Sequence, residues 1–274
     1  MKIRGSYHNH TLFSDGTESA EQMVCAAIAA GLDCVGISDH SPHDMPSASR
    51  WWTKAEDMNA YRTEIARLKE KYASKIQVLA GIELDIDSSP AWGEGFDYVI
   101  GAVHQLLPNG DYCSIDYTVE EFDRAVCTHF GGDAYAYAEA YFERVKELAE
   151  RKDCPIVAHF DLLCKFNEKH PRFSEEDERY LAAAVSCLEA LVRADKVIEV
   201  NTGAITRGWK SVPYPSKTLL SELRKMNGKI ILAADAHAGK DIAGCFDEAA
   251  ALAKLCGFDE VWTIDEGGLH PEKL

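Results

Sequence analysis

Short apolar segments alternate along this chain with amphipathic stretches that carry helix-start signals, and that alternation leaves few folds open. Strands are predicted over residues 3–7, 34–38, 77–84, 98–103, 156–158, 197–200, 230–234 and 260–264. Between them, the S-A-E-Q run from Ser19 to Gln22, T-K-A-E from Thr53 to Glu56 and T-V-E-E from Thr118 to Glu121 read as capping boxes. The S-E-E-D run at Ser174 marks a further helix start. Alternation of this kind implies parallel strands with right-handed crossovers. Length and regularity favour a closed barrel in a single domain over residues 1–274, since one barrel commonly takes roughly 250 residues. No G-x-G-x-x-G follows the first strand, which counts against dinucleotide binding. Between Glu83 and His104 there is hardly room for a full helix, so the barrel is expected to be irregular.

The polar residues are placed with equal regularity. His8 and His10 follow the first strand, where a period of two points them the same way, and Asp15 comes after a short turn. His40, Glu83, His104, His159 and the pair Asp235/His237 each fall at or just after the end of a further predicted strand. Parallel barrels place their active sites on that face. Six of the ten histidines gather there, while His43, His129, His170 and His270 lie in loops or at helix ends. Any one of these groups alone reads as a backbone cap, an ion pair or a turn residue. Six imidazoles and three carboxylates together would be costly to bury without cations.

Mixed imidazole and carboxylate ligation suits zinc, manganese or iron better than calcium or magnesium. Nine ligands at about four per ion, with one carboxylate shared, satisfy two or three metals. Clustered ions activate water and clamp the oxygens of a phosphoryl group. Metals alone do not position a phosphate monoester. Arg207, after the sixth strand, is the leading cation for it because its planar fork takes two oxygens, and Lys165 is the second. His43 is a candidate for contacting the substrate or protonating the leaving alkoxide. Trp51 and Trp52, in the Pro-, Ser- and Trp-rich loop 41–52, read as a lid or as loop packing. Asp161 and Glu266 are candidates for recognising a cationic amine.

A formal charge of −16 argues against a nucleic-acid surface but leaves a small phosphorylated substrate open. No apolar run approaches the ~20 residues of a membrane span, and the first residues lack the apolar core of a signal peptide. Nine cysteines without a C-x-x-C suit reduced thiols. The expectation is therefore a cytoplasmic protein with no nucleic-acid or membrane partner; oligomeric state is not legible.

The runs H-N-H…S-D-G, G-I-S-D-H, G-I-E-L-D, G-A-V-H, V-A-H-F-D-L and A-D-A-H resemble the successive motifs of the polymerase-and-histidinol-phosphatase (PHP) superfamily, over about residues 3 to 265. Further stretches, including F-G-G-D at Phe130 and C-F-D-E-A at Cys245, are similar to its histidinol-phosphatase branch. The resemblance implies a distorted (β/α)7 TIM-like barrel with a trinuclear site. In it His8, His10, Glu83 and Asp235 would hold one metal, and Glu83 would bridge to a second completed by His104 and His159. Asp15, His40 and His237 would hold the third. It also implies a phosphatase of histidine biosynthesis that converts L-histidinol phosphate and water to L-histidinol and phosphate. A hydroxide bridging the first two metals, at Glu83 and Asp235, would attack phosphorus. The alternatives are a PHP phosphoesterase acting on nucleotides or other small esters and, with less support from the Asp15/His40 pair and the final D-x-H, a metal-dependent amidohydrolase. A barrel that has lost its chemistry fits poorly, because every expected ligand position is filled.

Overall fold

The computed structural model describes residues 3–43 and 51–274. Its strands are β1 (Gly5–Ser6), β2 (Cys34–Ile37), β3 (Gln77–Asp85), β4 (Tyr98–Ala102), β5 (Gln105–Leu106), β6 (Cys113–Ser114), β7 (Ile156–Val157), β8 (Val197–Asn201), β9 (Lys229–Ala233), β10 (Glu260–Asp265) and β11 (Gly268–Lys273). Seven of them, β1-β2-β3-β4-β7-β8-β9, pair in parallel in that order, and β5 and β6 form a separate antiparallel ribbon. The curled sheet meets itself just beyond β1 and β9. There His10 N donates to Ala236 O at 2.8 Å and Ala236 N to His8 O at 3.2 Å, around a parallel bridge between Asn9 and Ala236.

The eighth predicted strand does not complete the barrel. β10 touches β9 through a single parallel pair, Trp262 with Ile231, and then folds back on β11 as a hairpin. Gly268, at φ +91°, supplies the left-handed residue that the turn needs.

The helices are α1 (Ala20–Ala29), α2 (Met58–Tyr72), α3 (Val119–His129), α4 (Ala134–Lys146), α5 (Glu178–Arg193), α6 (Gly203–Thr206), α7 (Lys217–Lys225) and α8 (Phe246–Leu255). At α1 both bonds of the Ser19/Gln22 capping box form. The Thr53 box does not: a 3-10 turn over Ala55–Asp57 leads into α2, and Thr53 N is instead tied to His40 O at 3.2 Å. Asp177, not Ser174, caps α5. As the spacing requires, only a 3-10 turn (Pro90–Gly93) fits between β3 and β4.

Most of the core lies between the strands and the helices, and a second apolar cluster fills the barrel itself, with Tyr7, Tyr98, Ile100, Ile156 and Val197 among its members. Each such large side chain contributes roughly 1.5–3 kcal/mol by leaving water. The Tyr98 ring lies against Gly36 and Gly81, where a Cβ would come within 2.1 Å of it, and its hydroxyl donates to Tyr7 O. The glycines of G-I-S and G-I-E thus make room for an aromatic floor, and the polar strand ends are left to converge above it.

Candidate metal centre

All nine expected ligands come together at the C-terminal ends of the strands. Glu83, at the penultimate position but one of β3, stands at their centre and is fully buried. Its Oε2 lies 3.3 Å from His8 Nε2, 3.6 Å from His10 Nε2 and 2.8 Å from His40 Nδ1. Its Oε1 turns the other way, 3.2 Å from His159 Nε2 and 3.5 Å from His104 Nε2. Asp235, on the far side of His8 and His10, places Oδ1 3.3 Å from His10 Nε2 and 3.8 Å from His8 Nε2. Asp15 faces His237 Nε2 at 3.2 Å, His10 Nδ1 at 3.6 Å and His40 Nε2 at 3.7 Å. His40 therefore stands between two of these groups.

This donor set fits cations. Glu83 Oε2, His8 Nε2, His10 Nε2 and His40 Nδ1 are buried, converge on one point and have no hydrogen-bond partner among the described residues. Two atoms that bind one zinc at about 2.0–2.2 Å in tetrahedral geometry are themselves about 3.4 Å apart, close to most of the separations above. Three sets with ligand atoms within 4.8 Å of one another cover most of the site: His8/His10/Asp235, His40/Glu83/His104 and His10/Asp15/His40/His237.

Electrostatics point the same way. Burial alone would raise the Glu83 carboxyl, but His40, His8 and His104 hold it well below the usual range. Asp235 is held down, against burial, by Arg207 and His8. Burial, with His237 and His40 nearby, lowers His10 to about 3, so its ring is neutral and ready to ligate. Burial opposes the charging of His40, but Glu83 and Asp15 raise it to about 9; Glu199, Glu83 and Asp235 likewise hold His8 well above its usual value.

A cavity of about 280 Å³ opens over the cluster, with Asp15, His40, Glu83, His104, Asp235 and His237 in its wall beside Trp51, Tyr117, Lys165 and Arg207. Arg207 Nη2 donates to Asp235 Oδ2 (3.0 Å) and Nη1 to Asp235 O (2.7 Å). Gly203 makes this pairing possible, since a Cβ there would lie within 2.9 Å of both side chains. Lys165 Nζ donates to Asp116 Oδ2 and to its carbonyl, both at 2.8 Å.

Other expected site residues lie elsewhere. His43 does not line the cavity: its ring stacks on Trp52 at 4.7 Å, and its Nε2 sits 3.6 Å from Asp85 Oδ1. Trp51 reaches the cavity and stacks on Trp52, while residues 44–50 of that loop lie outside the described residues. Asp161 is buried off the cavity, where desolvation pushes it up to about 7 and its Oδ2 accepts from Ser216 N. Glu266 borders a groove beside Gln77, at the opposite end of the barrel.

Sequence reasoning passed over the carboxylates behind the rings. Asp85 Oδ2 is 3.1 Å from His104 Nδ1, and Glu199 Oε1 is 2.8 Å from His8 Nδ1. Both carried a signal. Asp85 shares a strand face with Glu83, and Glu199 interrupts the apolar run of β8 on the inward face of Val197.

A parallel β/α barrel with a carboxylate-bridged histidine cluster at its C-terminal mouth defines a class of metal-dependent hydrolase folds. This chain matches the PHP domain over residues 6–203 and belongs to that family. A probable histidinol-phosphatase of Schizosaccharomyces pombe is 24% identical, over 97% of this chain and 90% of its own length. A Listeria monocytogenes structure assigned as a candidate histidinol phosphatase shares the fold, with a TM-score of 0.80 at 22% identity over 89% of this chain and 99% of its own. So does the histidinol phosphate phosphatase of Lactococcus lactis, solved with zinc, L-histidinol and phosphate (TM-score 0.74, 22% identity, 97% of this chain and 98% of its own). Among the described residues no helix is long and apolar enough to cross a membrane.

Proposed function

We propose that this PHP-domain protein is a metal-dependent phosphomonoesterase that hydrolyses L-histidinol phosphate to L-histidinol and phosphate. The observation that carries the reading is Glu83, whose two oxygens face two separate sets of imidazoles across a cavity that also presents Arg207. The activities for which its relatives are named favour this substrate.

In this reading His8, His10, Glu83 and Asp235 hold one divalent cation, Glu83, His104 and His159 a second, and Asp15, His40 and His237 a third. Zinc, manganese and iron all suit such a set. Bound there, the ions supply Lewis-acid charge to the phosphoryl oxygens and a nucleophile drawn from water. The chain's own part is orientation. Arg207, braced by Asp235, presents its remaining N–H groups to the phosphate, and its charge offsets that of the ester. Lys165 adds a second positive group, shared with Asp116. Trp51 and Leu162 limit water at the rim. His43 acts from behind the wall through Asp85 rather than on the substrate.

The test is phosphate release by metal-loaded protein from L-histidinol phosphate beside sugar phosphates and nucleotides. A kcat/KM of ~10⁴ M⁻¹s⁻¹ or more for histidinol phosphate, far above the panel, is expected. Even, weak turnover across the panel would refute the substrate while keeping the chemistry.

A further inference from the structure

Glu199 is a carboxylate in the middle of a barrel strand, 1% exposed, and among the described residues no lysine or arginine pairs with it. Such a group is expensive to bury unless hydrogen bonds satisfy its oxygens. Three groups converge on it. Oε2 accepts from His159 N at 3.1 Å and from Asn201 Nδ2 at 2.9 Å, and Oε1 lies 2.8 Å from His8 Nδ1. An ionised carboxylate only accepts, so this contact requires the proton on His8 Nδ1. When the ring gives up its second proton to a cation, it is therefore the lone pair of Nε2, on the side of Glu83 and Asp235, that becomes free.

The second contact has its own consequence. His159 has φ of +20°, at the edge of the left-handed region, where a non-glycine residue needs outside support. Glu199 holds its N–H. One side chain therefore orients groups that arrive from two strands and face opposite oxygens of Glu83. A similar arrangement recurs at His104, where Asp85 accepts from the main-chain N and faces Nδ1, both at 3.1 Å.

From this we infer that Glu199 is a positioning residue of the metal centre, fixing the tautomer of His8 and the backbone of His159 together. The inference rests on the metal-dependent reading above. Glu199→Gln sharpens it. Two donors, His159 N and Asn201 Nδ2, already share Oε2 and keep the amide oxygen at that position, so the NH₂ turns to His8. The imidazole then accepts through Nδ1 and carries its proton on Nε2, the nitrogen needed for a cation.

The experiment is a competition titration of the metal-stripped full chain with Zn²⁺ against a chromogenic chelator, with the Co²⁺ absorption spectrum and metal-free thermal melts in parallel. E199Q is expected to weaken at least one ion about 10- to 100-fold and to alter the Co²⁺ spectrum; the metal-free melt falls as well, because the buried His8–Glu199 pair loses its charge, so affinity is compared on chains shown to be folded. Glu199→Asp keeps the charge but withdraws both oxygens by one methylene, and is expected to weaken binding too; it serves as the test if E199Q does not fold. Binding within twofold of the parent in a folded variant overturns the positioning role, as does a lowered melt with unchanged affinity. A parent chain that binds no zinc or cobalt overturns the metal-dependent reading and this inference with it.

Discussion

Asp235→Asn separates charge from shape at this site. Asp235 sits at φ +49°, a conformation that asparagine tolerates as readily as aspartate, so the backbone has no reason to move. Its Oδ2 accepts from Arg207 at 3.0 Å, and Oδ1 faces His10 and His8 at 3.3 and 3.8 Å. In the variant the amide oxygen goes to Arg207, the stronger donor, and the NH₂ points to where a cation would lie. One unit of charge at 4 Å in protein surroundings amounts to about 4 kcal/mol. The oxygen would be closer and the ion doubly charged, but the amide dipole and Arg207's unpaired charge act in the same direction, so a loss of about 4 kcal/mol or more is expected. That is roughly 10³-fold in affinity. Metal content after gel filtration and a chelator-competition constant measure it, with phosphate release alongside. The metal-free melt falls too, because Arg207 and His8 lose a charge partner, so affinity is compared on chains shown to be folded. A folded D235N chain with parental zinc affinity and turnover would refute the assignment of Asp235.

Other outcomes follow from neighbouring geometry. Gly203→Ala carries no functional group, yet its methyl would collide with Arg207 and Asp235; turnover should fall at least ~10-fold with a stability loss of about 1–3 kcal/mol, and parental kinetics would place the pair elsewhere. Metal-free His8 and His40 are charged at neutral pH, His40 up to about 9, and both must lose a proton to ligate. Loading zinc at pH 7.5 should thus release at least two protons per chain, measured in weak buffer with an indicator, and affinity should climb as pH rises toward 9. The sign for the metal-free fold is opposite: raised imidazoles contribute stability that is complete below about pH 6.5 and lost as pH rises through 9, so its melting temperature should fall over that window. Arg207→Ala should chiefly raise KM for phosphomonoesters; an unchanged KM would move phosphate binding to another group.

How much of this was legible beforehand depended on whether the signal was local. A buried parallel strand is an apolar run, so a histidine or carboxylate at its end is conspicuous, and the nine residues could be collected without knowing the register. The G-I-S and G-I-E glycines were visible too, but their reason, the ring of Tyr98, is a contact between three strands. Thr53 failed as a cap because its backbone is held by His40, a tertiary bond that no four-residue pattern contains. The hairpin at β10 and β11 was missed because residues 268–273 carry histidine, proline and charge and lack strand composition. His43 has the right spacing from His40, but stacking on Trp52 turns its ring toward Asp85.

The closure of the barrel between β1 and β9 has a consequence for the whole molecule. Few main-chain bonds hold the two ends of the sheet there, and the candidate ligands His8, His10, Asp235 and His237 sit on both banks of that join. A cation held by residues from both sides works as a clasp, drawing the start of the chain against a segment folded more than two hundred residues later. Hydrogen exchange at residues 6–10 and 234–237 should slow sharply when zinc is added, more than in the remaining strands. Stripping the ions would unfasten the cylinder lengthwise along that line, while the rest of the sheet stays rolled.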